Sequence, residues 1–546
     1  MSETFEVVAT GSAADAVTVG VPALVAEGFA GRLFAKDPTL WGPDAEEEAA
    51  KRLSWVTLPQ SSRPLVGEIS ALRGELAEAG VDHVVLCGMG GSSLAPEVIC
   101  ATYAVELTVL DSSSPDQVRG ALQDRLDRTV VVVSSKSGAT VETDSQRRAY
   151  EQAFTDAGID PLTRIVFVTD PGSPLDESTR KEGFRVFNAD PDVGGRYSAL
   201  TAFGLVPSGL AGADLGRLLD EADAVRDLLA ADDEANPGLR LGAAIAGTSP
   251  LRNKLVLVDQ GSGLNGFADW AEQLIAESTG KQGTGLLPVV VADDSAPEVA
   301  LPPHDVTVAH LADDTAADPQ VDADDTGSGS TGSDIVVTGT LGAQMMLWEV
   351  ATATAGRLLG IDPFDQPDVE SAKKAARSML EGAPDDSGPD FTDGPVEVRA
   401  LGGEWLGGAS TLAGAVTALL AQVDAQHGYL AVMAYLDRIA NPELTEVRGT
   451  LAHRVRRPVT FGWGPRFLHS TGQFHKGGPA EGVYLQITAD PLEDLPVPGK
   501  DYTFGRLIAA QSAGDATVLA DHGRPVLRVH LTDLPAGLAA LRAALS

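Results

Sequence analysis

The sequence predicts an α/β protein with two doubly wound parallel-sheet lobes of the three-layer α-β-α type. Short β-branched segments alternate with helix-length segments, which is typical of parallel strands joined by crossover helices. This alternation occurs twice, from His83 to Thr169 and again from Leu255 to Thr338. The chain of 546 residues is also long enough for about three or four structural units.

The first lobe is expected to begin with a helix, because apolar residues recur at helical spacing from Val66 to Leu76. Gly80 is placed to end that helix. The strands predicted for the first lobe are His83–Cys87, Leu107–Leu110, Val130–Ser134 and Ile165–Thr169. Those predicted for the second lobe are Leu255–Val258, Leu287–Val291, Val306–Val308 and Ile335–Thr338.

The chain is predicted to have four parts. These are an N-terminal helical segment (1–65), the first lobe (66–235), the second lobe (236–385) and an extra C-terminal α/β region (386–546). The second lobe contains an insertion at 312–333 that is rich in Asp, Gly, Ser and Thr. Like charges and glycine keep such a segment solvated, so a surface insertion with no catalytic part is expected.

The composition excludes several functional classes. The formal net charge is −37 and the pI is near 4.5, so nucleic acid and anionic membranes are not expected as partners. Cys87 and Cys100 are too few for a disulfide framework, and the first residues lack the pattern of a signal peptide. A cytoplasmic protein is therefore expected. Any anionic ligand would need local contacts, such as backbone amides at a helix start, to overcome the repulsion from the protein's net negative charge.

A glycine-rich turn follows the first strand, and it reads Gly88-Met89-Gly90-Gly91-Ser92-Ser93. A strand, a glycine turn, hydroxyls and a helix start together form an anion site. A dinucleotide-binding turn is the alternative, supported by Asp111 about 20 residues on. Ser93 stands where that motif needs its third glycine, which weakens the alternative; an ordinary tight turn also remains open.

A second turn, after Val130–Val133, reads Ser134-Ser135-Lys136-Ser137-Gly138-Ala139-Thr140 and leads into a helix predicted from Val141. Its hydroxyls and free amides could surround a phosphate monoester without a large basic patch. A solvated loop is the ordinary alternative for a Ser/Thr run. The chain has no GxxxxGK[ST] motif, so a nucleoside triphosphate is disfavoured.

Both turns resemble the sugar-isomerase (SIS) loops of the phosphoglucose isomerase family. The motifs that carry the resemblance are GMGGSSLAP (88–96), SKSGATVET (135–143), GGRYS (194–198), WAEQLIAESTGKQGTGLLP (270–288) and DPFDQPDVESAK (362–373). They occur in the family's order over roughly residues 66–380. The C-terminal part, with GPRFLHSTGQFHKGG (464–478), resembles the isomerase half of transaldolase–isomerase fusion proteins.

The resemblance implies two SIS lobes and reversible isomerisation of glucose 6-phosphate and fructose 6-phosphate by ring opening and a cis-enediol(ate). It also implies a homodimer, no cofactor and a functional link to transaldolase. No metal is expected, since the nine His include no HExxH motif or zinc-type spacing. Two alternatives are a bifunctional phosphoglucose/phosphomannose isomerase and a non-catalytic sugar-phosphate-binding regulator.

The resemblance assigns four catalytic residues. Glu277 would move the proton and Arg196 would stabilise the enediolate oxygen, while Lys373 and His469 would open the sugar ring. From spacing alone, Glu277 is better explained as an exposed helix-end residue paired with Lys281. In family members the catalytic His precedes the FDQ segment, whereas His469 follows it here, so chain order does not support the assignment.

His475 is the alternative to His469. Arg196 could instead form a structural salt bridge, and Lys373 could be a solvated helix lysine. Gln366 and Gln473 would orient sugar hydroxyls, and a capping or packing role is the alternative for both. The residues predicted to hold substrate or its phosphate are Gly90, Gly91, Ser92, Ser135, Lys136, Ser137 and Thr140.

Overall fold

The computed structural model describes residues 5–136, 138–313, 334–367, 377, 379–380 and 388–546. In these ranges three sheets of five, five and six strands form the framework, and helices pack against them. Parallel pairing dominates all three sheets. The predicted α/β class with parallel sheets is therefore confirmed.

The N-terminal segment, predicted to be helical over residues 1–65, contains one strand in addition to its helices. Its first element, β1 (Glu6–Ala9), is a strand that pairs antiparallel with the last strand of the second lobe. Val7 is buried, as are Val21 and Phe29 in the following helices, so this segment forms part of the main core. Its helices are α1 (Gly11–Ala26), α2 (Phe29–Phe34), α3 (Glu46–Ala49) and α4 (Leu58–Ser61).

The first lobe contains a fully parallel sheet with the order β3-β2-β4-β5-β6. Its strands are β2 (His83–Cys87), β3 (Thr108–Leu110), β4 (Thr129–Ser134), β5 (Ile165–Thr169) and β6 (Arg185–Asn188). Its helices are α5 (Arg63–Glu78), α6 (Gly91–Thr102), α7 (Pro115–Gln123), α8 (Val141–Asp156), α9 (Pro174–Glu182), α10 (Ala202–Ala211) and α11 (Leu215–Leu229). The strand order reverses between β2 and β4, where ligands of open α/β sheets bind at the carboxyl edge. The glycine-rich and hydroxyl-rich turns both lie at this point.

The second lobe has the strand order β1-β10-β9-β7-β8, which is parallel apart from β1. Its strands are β7 (Lys254–Gln260), β8 (Leu287–Val291), β9 (Val306–Ala312) and β10 (Asp334–Thr338). Its helices are α12 (Pro237–Ala246), α13 (Phe267–Thr279), α14 (Pro297–Ala300) and α15 (Leu341–Leu359). The acidic insertion predicted at 312–333 lies outside the described residues from position 314 onward.

The C-terminal unit has a mixed sheet with the order β11-β12-β16-β15-β13-β14. Its strands are β11 (Phe391–Asp393), β12 (Val396–Leu401), β13 (Tyr429–Tyr435), β14 (Val459–Trp463), β15 (Gly482–Ala489) and β16 (Val526–Leu531). Its helices are α16 (Leu412–Leu420), α17 (Val447–Val455), α18 (Gly472–Gly477), α19 (Phe504–Asp521) and α20 (Leu534–Leu545).

The C-terminal unit packs against both lobes. Tyr429 and Tyr484 of its sheet belong to one apolar cluster with Val256 and Val289 of the second lobe. Phe504 joins a cluster formed by the first lobe. Side chains of this unit can therefore lie at the carboxyl edge of the first sheet. Within the described part of the chain, no helix is long and apolar enough to cross a membrane.

Candidate active site

The two residues with the most specific predicted roles, Glu277 and Arg196, lie next to each other. Glu277 is in the last turn of α13, a helix held in place by the buried Trp270 and Leu274. Its Oε2 lies 3.8 Å from Nη1 of Arg196, and the two side chains are 6% and 2% exposed. Glu277 is therefore not the exposed helix-end residue that its spacing alone suggested.

Arg196 is held rigidly by neutral groups. Its Nε donates to Ser278 Oγ at 2.8 Å, and its Nη2 donates to the carbonyls of Pro363 at 2.7 Å and Asp365 at 3.0 Å. These contacts fix the plane of the guanidinium and leave its Nη1 facing Glu277. A structural salt bridge, the alternative role for Arg196, would use the same contact with Glu277.

The alternative explanation of Glu277 paired its carboxylate with Lys281. The structure corrects this alternative, because Lys281 has other partners. Its Nζ instead donates to the carbonyls of Asp362 and Asp365, both at 2.7 Å, and to the Asp365 carboxylate at 2.5 Å. Burial lowers the pKa of Lys281 to about 8, and the charge of Arg196 acts in the same direction. Lys281 thus holds the same segment that anchors Arg196.

The glycine-rich turn approaches these residues closely. Gly90 has φ +60°, a conformation that L side chains rarely adopt, and a Cβ there would lie 2.8 Å from Gln273 Nε2. A Cβ at Gly91 would lie 1.9 Å from the carbonyl oxygen of Gly195. Glycine is therefore required at both positions so that the turn can lie against the loop that carries Arg196.

His469 reaches the same place from the C-terminal unit. Its carbonyl accepts a 2.7 Å hydrogen bond from Gln273 Nε2, which also donates to Glu277 Oε2 at 3.3 Å. Its ring Nε2 lies 3.2 Å from Glu142 Oε1, and Gln511 donates to that same oxygen at 2.6 Å. His469 therefore reaches the site although its motif follows the FDQ segment in the chain.

His475, the alternative to His469, lies in the core of the C-terminal unit. It is 2% exposed, its Nδ1 lies 3.0 Å from the Tyr429 hydroxyl, and its carbonyl accepts from the Tyr484 hydroxyl. Burial lowers its pKa well below the usual range, and the charge of Lys476 contributes. A ring enclosed by aromatic side chains is badly placed to meet a sugar, so the geometry favours His469.

The hydroxyl-rich loop is folded on itself next to the glycine turn. Ser135 Oγ accepts from the Gly138 amide at 3.1 Å and donates to Thr140 Oγ1 at 3.3 Å. Ser92 Oγ donates to the Met89 carbonyl at 2.9 Å and lies 3.4 Å from the carbonyl of Ser134, which places the two loops side by side.

The remaining predicted residues differ in placement. Lys136 pairs with Asp170 at 2.7 Å, which holds its ammonium against the neighbouring loop. Gln473 is fully buried and donates to the Gly280 carbonyl at 2.9 Å, and Gln366 is exposed. Ser137 and Lys373 lie outside the described residues.

Sequence reasoning missed Glu142, Gln273 and Gln511, which connect His469 to Glu277 and to the hydroxyl-rich loop. Two of them had a local signal. Glu142 stands in the first turn of α8, directly after that loop, and Gln273 precedes Glu277 by one helical turn. Among the described residues, no group of three or more His, Cys, Asp or Glu side chains is arranged to hold a metal ion.

The parallel sheets and the two loops at the switch point of the first sheet define an α/β protein with a candidate ligand site at the carboxyl edge of that sheet. Comparison with known proteins shows that the chain is distantly similar to glucose-6-phosphate isomerases, at 28% to 36% sequence identity. It is 28% identical to the enzyme of a Synechococcus strain over 466 residues, 74% of this chain and 78% of that protein. It is also 28% identical to a probable glucose-6-phosphate isomerase of Methanococcus maripaludis over 57% of this chain and 82% of that protein.

A shorter match, to the Acaryochloris marina enzyme, reaches 36% identity over 36% of this chain and 40% of that protein. Among solved structures, a hypothetical protein of Thermus thermophilus matches with a TM-score of 0.56 and 26% identity over 68% of this chain and 97% of that one. The Chlamydia trachomatis glucose-6-phosphate isomerase has a TM-score of 0.50 and 22% identity, covering 65% and 78%, and shares the fold. No family model matches the chain.

Proposed function

We propose that this protein is a glucose-6-phosphate isomerase that interconverts glucose 6-phosphate and fructose 6-phosphate through a cis-enediol(ate). The observation that carries the proposal is the buried pair of Glu277 and Arg196 at the edge of two candidate phosphate-binding loops. Aldose–ketose isomerisation needs a base that moves one proton between adjacent carbons and a cation that stabilises the developing oxyanion. A carboxylate and a guanidinium side by side supply both.

Glu277 takes the proton from one carbon of the open-chain sugar and returns it to the neighbouring carbon. Its position at the end of a buried helix, beside Gln273, holds the carboxylate in one place during both transfers. Arg196 keeps its charge throughout, because a guanidinium is not deprotonated in proteins. Its anchors on Ser278 and the carbonyls of Pro363 and Asp365 preorganise it for the enediolate oxygen.

Ring opening is assigned to His469. An imidazole can donate or accept a proton, and the contact between Glu142 Oε1 and His469 Nε2 at 3.2 Å orients the imidazole of His469. Gln511 holds the Glu142 carboxylate from the other side. Lys373 remains the predicted second group for ring opening.

The phosphate is assigned to the hydroxyl-rich loop, where Ser135 and Thr140 are in mutual contact. This group does not react, so its binding contributes to holding the sugar in place. Gly90, Gly91 and Ser92 complete the proposed binding surface on the neighbouring turn. The homodimer, the cytoplasmic location and the functional link to transaldolase are further predictions of this assignment.

Hydrogen exchange in deuterated water tests the proposal. Incubation with fructose 6-phosphate should yield glucose 6-phosphate that carries deuterium at C2, detected by proton NMR. A protein that binds the sugar phosphate without exchange or conversion would be a regulator, and the proposal would fail. Parallel incubation with mannose 6-phosphate identifies the bifunctional alternative, because both epimers share the same enediol intermediate.

A further inference from the structure

Arg466 stands three residues before His469, and both residues belong to the short 3₁₀ turn Arg466–His469. Side chains three apart in such a turn lie on the same face, because a 3₁₀ helix has three residues per turn. Both side chains reach the first lobe. His469 Nε2 lies 3.2 Å from Glu142 Oε1, and Arg466 contacts two other carboxylates. The placement of the imidazole is therefore linked to that of the guanidinium through a single turn of backbone.

Arg466 bridges two separate elements of the first lobe. Its Nη1 donates to Asp111 Oδ2 at 2.6 Å, and its Nη2 lies 2.5 Å from Glu97 Oε2. Glu97 is in α6, the helix that begins at the glycine-rich turn, and Asp111 directly follows β3. A planar guanidinium can hold two carboxylates in fixed directions, whereas an ammonium group acts as a point charge. Arg466 therefore fixes its turn relative to two elements at once.

A second arginine of the C-terminal unit contacts the same two carboxylates. Arg438 Nη2 donates to Glu97 Oε1 at 3.0 Å, and its Nε lies 3.4 Å from Asp111 Oδ1. Burial alone would raise the pKa of Glu97, but the charges of Arg466 and Arg438 hold that pKa below its usual range. Asp111 is completely buried between these cations. The residue that supported a dinucleotide-binding turn in the sequence is thus bound by the protein itself.

Packing holds only part of the segment that carries His469. Phe467 is buried in the apolar cluster between the C-terminal unit and the second lobe. Elsewhere the segment lines a cavity of about 610 Å³, and Arg466 and Ser470 are among the lining residues. Ser470 Oγ donates to Glu272 Oε1 at 3.0 Å, which holds the end of the segment. Close packing cannot fix side chains that face a cavity of this size, so their polar contacts must do so.

We propose that Arg466 is a positioning residue that holds the His469 imidazole at the candidate active site. It does so by bridging Glu97 and Asp111, and it acts through the turn without touching substrate. The proposal rests on the proposed function, in which His469 opens the sugar ring. Arg438 contacts the same carboxylates from a different loop, so it links the units without setting the direction of the imidazole. This difference between the two arginines makes the role testable.

The kinetic test compares Arg466→Lys with Arg438→Lys. Each variant keeps the positive charge and removes a guanidinium beside the same two carboxylates, so Arg438→Lys is the matched control. Arg466→Lys should lower kcat for cyclic glucose 6-phosphate by about ten-fold to a hundred-fold more than kcat for an open-chain aldose phosphate that cannot close a ring. Arg438→Lys should leave the ratio of the two rates unchanged. Stopped-flow assays with both substrates give this ratio.

A spectroscopic test follows the imidazole without any turnover. In full-length protein that is isotope-labelled at histidine Cε1, the NMR signal of His469 is the one that disappears in His469→Asn. Arg466→Lys should shift this signal, and Arg438→Lys should leave it in place. Asp111→Asn, which removes the charge on the other side of the contact, should shift the same signal. This variant also covers the case in which Arg466→Lys does not fold.

An unshifted His469 signal in Arg466→Lys or in Asp111→Asn would overturn the proposal. So would equal shifts in the two lysine variants, because the ion pairs would then be only a general link between the units. A shifted signal with an unchanged ratio of rates would support the positioning role and remove His469 from ring opening. Failure of the unmodified protein to convert the sugar phosphate would contradict the proposed function alone, since the NMR test needs no substrate.

Discussion

Glu277 Oε2 lies 3.8 Å from Arg196 Nη1 in a place where both side chains are almost completely buried. A surface pair at this distance would contribute little, whereas two charges withdrawn from water interact strongly. The Gln273 amide beside Glu277 and the neutral anchors of Arg196 fix both partners. The pair therefore places a fixed carboxylate beside a fixed cation, which is the arrangement that the proposed enediolate chemistry requires.

Glu277→Gln should lower the rate of isomerisation by about 10²–10⁴-fold, because it removes the positioned base while preserving the shape of the side chain. Loss of deuterium exchange at C2 is the direct measurement. Affinity for a sugar phosphate, measured by calorimetry, should change little. Asp269→Asn, on an exposed position of the same helix, is the matched control and should retain activity. Comparable losses in the two variants would show that α13 is simply sensitive to substitution.

His469→Asn should slow the cyclic substrate much more than an open-chain aldose phosphate that cannot close a ring, because only the cyclic sugar needs ring opening. Glu142→Gln should shift the same ratio less, since it acts by positioning His469. Stopped-flow assays with the two substrates give the ratio. Glu151→Gln, further along the same helix, is the control. Equal slowing of both substrates would remove His469 from ring opening.

Most of the fold could be predicted from the sequence, because buried parallel strands are nearly continuous apolar runs. His83–Cys87 and Ile165–Thr169 occur at their predicted bounds. The strands Glu6–Ala9 and Arg185–Asn188 were missed, since each is four residues long and partly exposed. Such edge strands are stabilised by the neighbouring strand and have little pattern of their own.

The site could be predicted only in part. Glu277 and Arg196 lie in short motifs, so the resemblance could locate them without a structure. The contact between His469 and Glu142 spans 327 positions, and no local pattern encodes which distant elements meet. The role of Lys281 was also hidden, because its carbonyl partners belong to a backbone segment whose course depends on the tertiary fold.

Thr140→Val should raise KM more than it lowers kcat. The hydroxyl is assigned to the phosphate, and losing one hydrogen bond to a charged group costs about 1.5–3 kcal/mol, or roughly ten-fold to a hundred-fold in KM. Steady-state kinetics supply both constants. Thr155→Val is the control, because that hydroxyl is exposed and bonds to its own helix. An unchanged KM would exclude Thr140 from the phosphate site.

Specific activity should not depend on protein concentration. Arg196, Glu277 and His469 lie close together within a single chain. The first lobe contributes Arg196, the second lobe contributes Glu277 and the C-terminal unit contributes His469. Dissociation of a dimer would therefore leave these groups in place. Activity measured over a dilution series, with sedimentation at the same concentrations, checks this. A fall in specific activity that follows dissociation would mean that a second chain completes the site.

The contribution of Glu349 to the free energy of unfolding should decrease as the pH rises. This residue is 1% exposed within α15, and neither carboxyl oxygen has a hydrogen-bond partner among the described residues. Burial raises its pKa well above the usual range, so the folded state keeps the proton. The unfolded chain releases it above about pH 4.5, so this contribution to stability is complete below that pH. It then falls by up to about 1.4 kcal/mol per pH unit until the pH passes the folded pKa.

Glu349→Gln removes this titration and should flatten the dependence of the urea unfolding midpoint on pH above about pH 4.5. Glu349→Met, which also removes the unpaired polar atoms, should raise the midpoint at neutral pH. Glu298 is the matched contrast, since it is equally buried but paired with Arg448 at 2.7 Å. Glu298→Gln should therefore lower stability by about 3–5 kcal/mol. If Glu349→Gln and Glu298→Gln destabilise the protein alike, Glu349 is ionised and paired, and the protonated state assigned to it is wrong.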